Sequence, residues 1–334
     1  MVIALSLTAA VIPQPTKLEL FKDWLVGCDN GRACHATSLG PDAAEQRFDV
    51  SIKRGPEPDA EVEIEIWSVD PQVKALAVDG KPLRLTLTPS REVWPIEGEA
   101  RTYFLDAVKP GRQLQFLKAD GSIHAVTSLE GLNAALLYMD DRQKRVETMS
   151  ALIRKGSEPS FKVPKAPILP VVEVPPPSKE PPLTIGEAMV KQLQKDNCDF
   201  ELEAEEPGAE TARLDAHHTL AMIPLRCWSG AYNHASLLLV NWGEGKWKPV
   251  RFDTDSFDET DNPPGIAFNA MWEPEKNLLT TYMKGRGIGD CGVIHNYAWD
   301  GTRFRLVERA DMSECRGSVD YITTWRAEIR TARQ

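Results

Sequence analysis

Six cysteines, Cys28, Cys34, Cys198, Cys227, Cys291 and Cys315, constrain this chain more than any other feature. Six thiols admit fifteen pairings, and sequence alone does not choose among them. Proximity favours Cys28–Cys34, Cys198–Cys227 and Cys291–Cys315, because each pair then closes a local loop. In the chain-entropy picture the first loop stabilises by about 2 kcal/mol and the two longer ones by about 3.5 kcal/mol each. Zinc is the rival reading, but structural zinc takes paired ligands at CxxC or HxxxH spacing, and neither pattern occurs. His35 beside Cys34 has no second histidine at finger spacing. A thioredoxin-like redox pair also needs CxxC ahead of a helix. The stretch "FKDWLVGCDNGRACHAT" (21–37) instead reads as strand, turn and strand, with Asn30-Gly31 turning and Cys34 returning to Cys28. Paired cysteines place the chain in an oxidising compartment.

The N-terminus agrees. Residues 1–16, "MVIALSLTAAVIPQPT", carry no charge and are mostly apolar. A bilayer span takes about 20 such residues, so this run fits the core of a secretory signal, with Thr8-Ala9-Ala10 as the cleavage region. The basic residues that precede such a core are missing, which puts the start codon in question. No other stretch is long enough to span a membrane. The chain is expected to be exported, periplasmic and not membrane-spanning. A formal charge of −10 and a pI near 5.3 argue against nucleic acid as a partner, because phosphate binding needs a basic face. They also disfavour electrostatic attachment to anionic lipid.

At 334 residues the chain is long for one core. Residues 156–182, "GSEPSFKVPKAPILPVVEVPPPSKEPP", hold nine of its 25 prolines. Proline fixes φ and removes amide donors, so this stretch is expected to stay out of any sheet, as an extended linker or a strap on a domain surface. The organisation read from the sequence is a signal-like segment (1–16), a β-rich N-terminal domain with one helix (17–155), the linker (156–182) and a β-rich C-terminal domain opening with a helix (183–334).

Within the first domain, "EVEIEIWSVD" (61–70) alternates strictly, with Val62, Ile64 and Ile66 on one face. Asp79-Gly80 and Asp120-Gly121 each sit between strand-like runs, a strong hairpin signal. In "SLEGLNAALLYMDDRQKR" the residues Leu129, Leu132, Leu136 and Met139 recur at helical spacing behind Ser128 as N-cap. After the linker, Thr184…Glu187 has the pattern of a capping box, and Ile185, Met189 and Leu193 form an apolar stripe. A weak internal echo links "LVNWGEGKWKPVRF" (239–252) to "NYAWDGTRFRLVER" (296–309). In both, a strand ends at Trp, turns through Gly and returns through an aromatic residue. The fold class is therefore mainly β with a few helices, a sandwich-like N-domain and a hairpin-repeat C-domain.

Sites are harder to find. "GIGDCG" (287–292) matches G-x-G-x-x-G, but "VIHNYAW" follows as a strand, where a dinucleotide site needs a helix. "DTDSFDETDNPPG" (253–265) gathers Asp253, Asp255, Asp258, Glu259 and Asp261. It is a weak calcium candidate, since the D-x-D-x-D-G order with a distal glutamate is absent. The acidic run "DFELEAEEPGAE" (199–210) reads as a solvent-facing strand and turn. His217 and His218, being adjacent, point apart on a strand and read as exposed loop histidines. "MDDRQKR" (139–145) reads as structural, its acids and Arg142 capping a helix end or pairing with the sheet. No G-x-S-x-G or S-x-x-K motif is present, and nothing nominates a carboxylate pair. No catalytic residue and no cofactor is assigned.

"FKDWLVGCDNGRACHA" (21–36), "SLEGLNAALLYMDDRQKRVETMSALIRKG" (128–156), the proline segment, "LRCWSGAYN" (225–233) and "CGVIHNYAWDGTRFRLVE" (291–308) together resemble the bacterial domain-of-unknown-function 1176 family. The first and second of these are also similar, over the N-terminal domain only, to invasion-associated locus B proteins. The resemblance implies export from a Gram-negative cell and paired cysteines, and implies no particular reaction. The expected function is a non-catalytic binding or interaction protein of the cell envelope, with an unknown envelope protein or polymer as partner. The alternatives are a carboxylate-dependent envelope hydrolase and a ligand- or calcium-binding module.

Overall fold

The computed structural model describes residues 13–41, 48–67, 69–198, 208–243, 245–253 and 264–332. Most of the signal-like segment therefore lies outside the described residues. In the first half, β1 (Glu19–Phe21), β2 (Trp24–Cys28), β3 (Cys34–Ser38), β4 (Val50–Arg54) and β5 (Val62–Trp67) run as an antiparallel meander. The chain then leaves for a second sheet through β6 (Ala75–Val78) and β7 (Lys81–Pro82), and returns as β8 (Val93–Ile96) beside β5. After α1 (Glu99–Val108), β9 (Gln113–Leu117) and β10 (Ile123–Ser128) complete the four-stranded sheet β10-β9-β6-β7. α2 (Leu132–Arg142) lies against β1, β2 and β3.

The core between these layers is built by alternation. Val62, Ile64 and Ile66 of β5 are buried while Glu63 faces solvent, and they meet Leu114, Phe116, Leu136 and Met139. Each such side chain contributes about 1.5–3 kcal/mol by leaving water. Both Asp-Gly pairs turn hairpins. Asp79 and Gly80 take φ of 48° and 78° between β6 and β7, and Gly121 takes 82° between β9 and β10.

Two helix starts differ from expectation. Ser128 donates no cap to α2; its hydroxyl accepts the Glu130 amide, and the helix begins at Leu132 behind Gly131. In α3 (Glu187–Asn197) the Thr184…Glu187 box does not form. Gly186 stands at the N-cap without a side-chain bond, and Glu187 pairs with Lys191 at 2.8 Å.

The second half is two facing sheets. β12 (Glu210–Arg213), β13 (Thr219–Leu225), β14 (Ala235–Asn241) and β15 (Trp247–Pro249) form one meander, with β16 (Ile266–Phe268) pairing β14. β17 (Met271–Glu273), β18 (Leu278–Lys284), β19 (Gly292–Trp299), β20 (Phe304–Met312) and β21 (Ile322–Arg326) form the other. Leu220, Leu238 and Val240 of the first pack against Tyr297, Phe304 and Leu306 of the second. α3 covers the other face of the first sheet through Val190, against Ile223 and Leu237. The echo in the sequence corresponds to the β14–β15 and β19–β20 hairpins, the third and fourth strands of the two meanders.

The proline segment departs from expectation most. Val171–Val174 forms β11, which pairs in parallel with β22 (Glu328–Thr331). Prolines bracket these four residues but do not interrupt them, so their amides remain available. Val172 and Val174 bury against Ala298 and Val307, which makes this part of the segment a strap.

All three disulfides form as proximity favours: Cys28–Cys34, Cys198–Cys227 and Cys291–Cys315, with Cα atoms 3.9, 5.7 and 4.7 Å apart. The first joins directly opposed residues of β2 and β3. Its turn is set by Arg32, at φ 64°, and not by Gly31. The Arg32 amide bonds the Asp29 carbonyl and the Asp29 amide bonds the Ala33 carbonyl, which makes a three-residue hairpin loop.

Every residue of β2 is buried because the strand serves two cores. Trp24, Val26 and Cys28 face the first half, whereas Leu25 packs with Cys291, Met312 and Ile322 of the second. Gly27 permits this approach, since a Cβ there would stand 2.5 Å from Leu18 Cδ2 and 3.0 Å from Ile322 Cγ2.

Candidate binding groove

The two echoed hairpins turn at the same end of the second half, and their tryptophans meet there. Trp242 follows β14 and Trp299 ends β19, with ring centroids 6.0 Å apart. Both turns are held by a short polar side chain. Asn241 accepts the Gly243 amide at 2.8 Å, and Asp300 accepts the amides of Thr302 and Arg303 at 2.8 and 2.9 Å. The Trp299 ring is buried, while Trp242 remains 42% exposed and so keeps much of its aromatic surface for contact with something else.

His218, immediately before β13, packs against both rings, 4.9 Å from Trp242 and 5.3 Å from Trp299. Its orientation is set by buried Asp215. The two Asp215 oxygens lie 2.9 and 2.8 Å from His218 Nδ1, and Trp299 Nε1 donates to Oδ2 at 2.8 Å. The backbone amides of His217 and His218 donate to Oδ1 at 2.7 and 2.8 Å. Burial works to raise the Asp215 carboxyl, but these donors outweigh it and hold the group below its ordinary range. An ionised carboxylate only accepts, so Nδ1 of His218 carries a proton and, in the neutral ring, Nε2 is an acceptor.

Trp242 and Trp299 line an open groove of about 520 Å³ together with Lys248, Pro249, Arg251 and Thr302. That size suits a small ligand or a short run of a polymer. Neither Lys248 nor Arg251 has an acidic partner among the described residues. The groove can therefore stack a flat apolar face on Trp242 and pair charge with two cations.

Over residues 18–330 the chain matches the family described as "Protein of unknown function (DUF1176)". It belongs to that family. Among relatives, "Uncharacterized protein YpfG" of Escherichia coli (strain K12) is 30% identical over 339 residues, covering 93% of this chain and 92% of the relative. Among solved structures, invasion associated protein B from Bartonella henselae aligns at a TM-score of 0.30 and 17% identity, covering 39% of this chain and 99% of that one. That likeness is too distant to carry an argument about this chain.

The remaining sequence candidates fall elsewhere in this DUF1176 chain. All six cysteines are spent in disulfides. Asp253 gives one oxygen to Arg305 Nε and the other to the Leu306 amide, both at 2.8 Å, and so anchors β20. Asp255, Asp258, Glu259 and Asp261 lie outside the described residues, as does most of the acidic run at 199–210. Among the described residues, no group of three or more His, Cys, Asp or Glu side chains is placed to hold a metal. The GIGDCG segment leads into strand β19, and the Gly289 carbonyl is tied down by the hydroxyls of Tyr282 (2.6 Å) and Tyr321 (3.2 Å).

In the MDDRQKR segment, Asp140 accepts the Leu152 and Ile153 amides, and Gln143 donates to the carbonyls of Arg32, Arg54 and Gly55. These bonds fold the following loop onto α2. Among the described residues, the carboxyls raised by burial, Asp140 and Glu308, belong to different halves of the molecule.

A serine, a histidine and an aspartate do converge, at Ser51, His35 and Asp320. Ser51 Oγ and Asp320 Oδ2 both address His35 Nε2, at 3.0 and 2.8 Å. A relay needs the acid on one ring nitrogen and the nucleophile on the other. This cluster instead clasps the outer face of the first sheet to the segment before β21, with Lys53 3.5 Å from Asp320.

Asp215 and His218 are what sequence reading missed. His218 is half-buried and partnered, not an exposed loop histidine. The D-x-x-H spacing, which puts an Asx-type turn under an imidazole, was the available signal.

Proposed function

We propose that this protein is an exported, periplasmic binding protein of the cell envelope that takes a strand of envelope saccharide on the Trp242–Trp299 groove without transforming it. The observation carrying this reading is Trp242, left 42% exposed at the rim of a concave surface and braced from behind by His218 and Trp299. A pyranose ring presents a C–H face that packs on an indole, and a braced indole loses little conformational entropy on binding. Three disulfides support an oxidising compartment. No helix among the described residues is long and apolar enough to cross a membrane.

Calorimetric titration with soluble β-1,4-linked tetrasaccharides tests the reading. Binding should be saturable and should weaken at least roughly tenfold in Trp242→Ala, the usual cost of a buried aromatic anchor. Binding unaffected by that substitution would refute the groove, and release of new reducing ends from the probe would replace it with a hydrolase.

A further inference from the structure

Resting on that reading, we infer that the groove selects an acidic, carboxylate-bearing saccharide over a neutral one, and that Lys248 and Arg251 make the selection. Stacking on Trp242 does not distinguish a charged pyranose from a neutral one, because both present the same C–H face. The discrimination must come from what lies beside the ring. In this half of the molecule Arg305 and Arg309 are spent on acids within it, and Arg316 and Arg326 on acids of the first half. Among the described residues Lys248 and Arg251 are not so spent, and both are exposed along the groove.

Among the described residues these two groove cations have no acidic partner, in a chain of net charge −10 whose overall field repels anions. Two local positive charges counter that field for an anionic ligand in the groove. Lys248 and Arg251 each bring one positive charge to the groove, which fits a ligand that carries more than one carboxylate.

The test compares matched probes on the intact protein: a β-1,4-linked glucuronic acid tetramer and cellotetraose, which differ only in the carboxylates. The acidic tetramer should bind at least roughly tenfold tighter, with a preference that shrinks as salt is raised. In Lys248→Gln/Arg251→Gln that preference should vanish, with a circular dichroism spectrum and melting temperature matching wild type to show that the variant is folded. Equal affinity of the wild type for the two probes would overturn the inference and leave the groove standing. So would a preference that survives in the double variant. Failure of both probes to bind would overturn the inference and the groove together.

Discussion

At Asp215 one carboxylate receives the amides of His217 and His218, the Nδ1 proton of His218 and the indole N–H of Trp299. Every donor it meets is one that an anion stabilises, so the residue fixes both the tautomer of His218 and the tilt of Trp299. Asp215→Asn keeps the shape but puts an NH₂ where one of these donors already points. The expected cost is about 2 kcal/mol in thermal or denaturant unfolding, since a buried donor is left facing a donor. The Trp299 indole N–H resonance should move with it. An unchanged resonance and unchanged stability would show that the carboxylate does not organise the groove.

Among elements, α2 depends on a residue with no side chain. Gly131 stands at its N-cap with φ 102°, and a Cβ there would lie 1.8 Å from the Phe21 carbonyl oxygen. Gly131→Ala therefore combines strained backbone with a collision against β1, and should destabilise the fold by at least about 2 kcal/mol in a urea melt. A change under about 0.5 kcal/mol would contradict this placement. The same helix shows what a sequence conveys. Its stripe of Leu132, Leu136 and Met139 is legible because periodicity records which face is buried. Its start is not, because Ser128 satisfies an amide in a turn where a cap was expected. β5 and the Asp-Gly hairpins were legible for the same local reasons. β11 was not, since its partner β22 lies at the far end of the chain and proline composition reports only the residues around it. The groove follows this pattern. The echo that brings Trp242 and Trp299 together is visible in sequence, whereas the pairing of Asp215 with Trp299 exists only after two sheets have packed.

The whole molecule is held together across its middle. Asp29 pairs with Arg326, Asp23 with Arg316, and the Asn30 side chain exchanges hydrogen bonds with the backbone of Arg326. His35, Ser51 and Lys53 close on Asp320 beside them. Burial works to raise the Asp320 carboxyl, yet His35, Lys53 and Ser51 hold it at about 2. A carboxyl depressed on folding contributes fully above its ordinary value of 3.8, and that contribution is lost as pH falls through about 2. Asp320→Asn should accordingly be less stable than wild type at pH 7 by about 2 kcal/mol, with the gap closing towards pH 2. A gap independent of pH would show that the clasp does not act through charge.

The central claim is that Trp242, braced by Trp299, forms the stacking surface of a saccharide site. With nine tryptophans in the chain, the most direct measurement is a ¹⁵N–¹H spectrum of the indole N–H groups, assigned with Trp242→Phe, while the acidic and then the neutral tetrasaccharide is added. The account predicts that the Trp242 and Trp299 signals move saturably with the acidic probe and that the other indoles stay in place. Shifts confined to other tryptophans, or none with either probe, would contradict it.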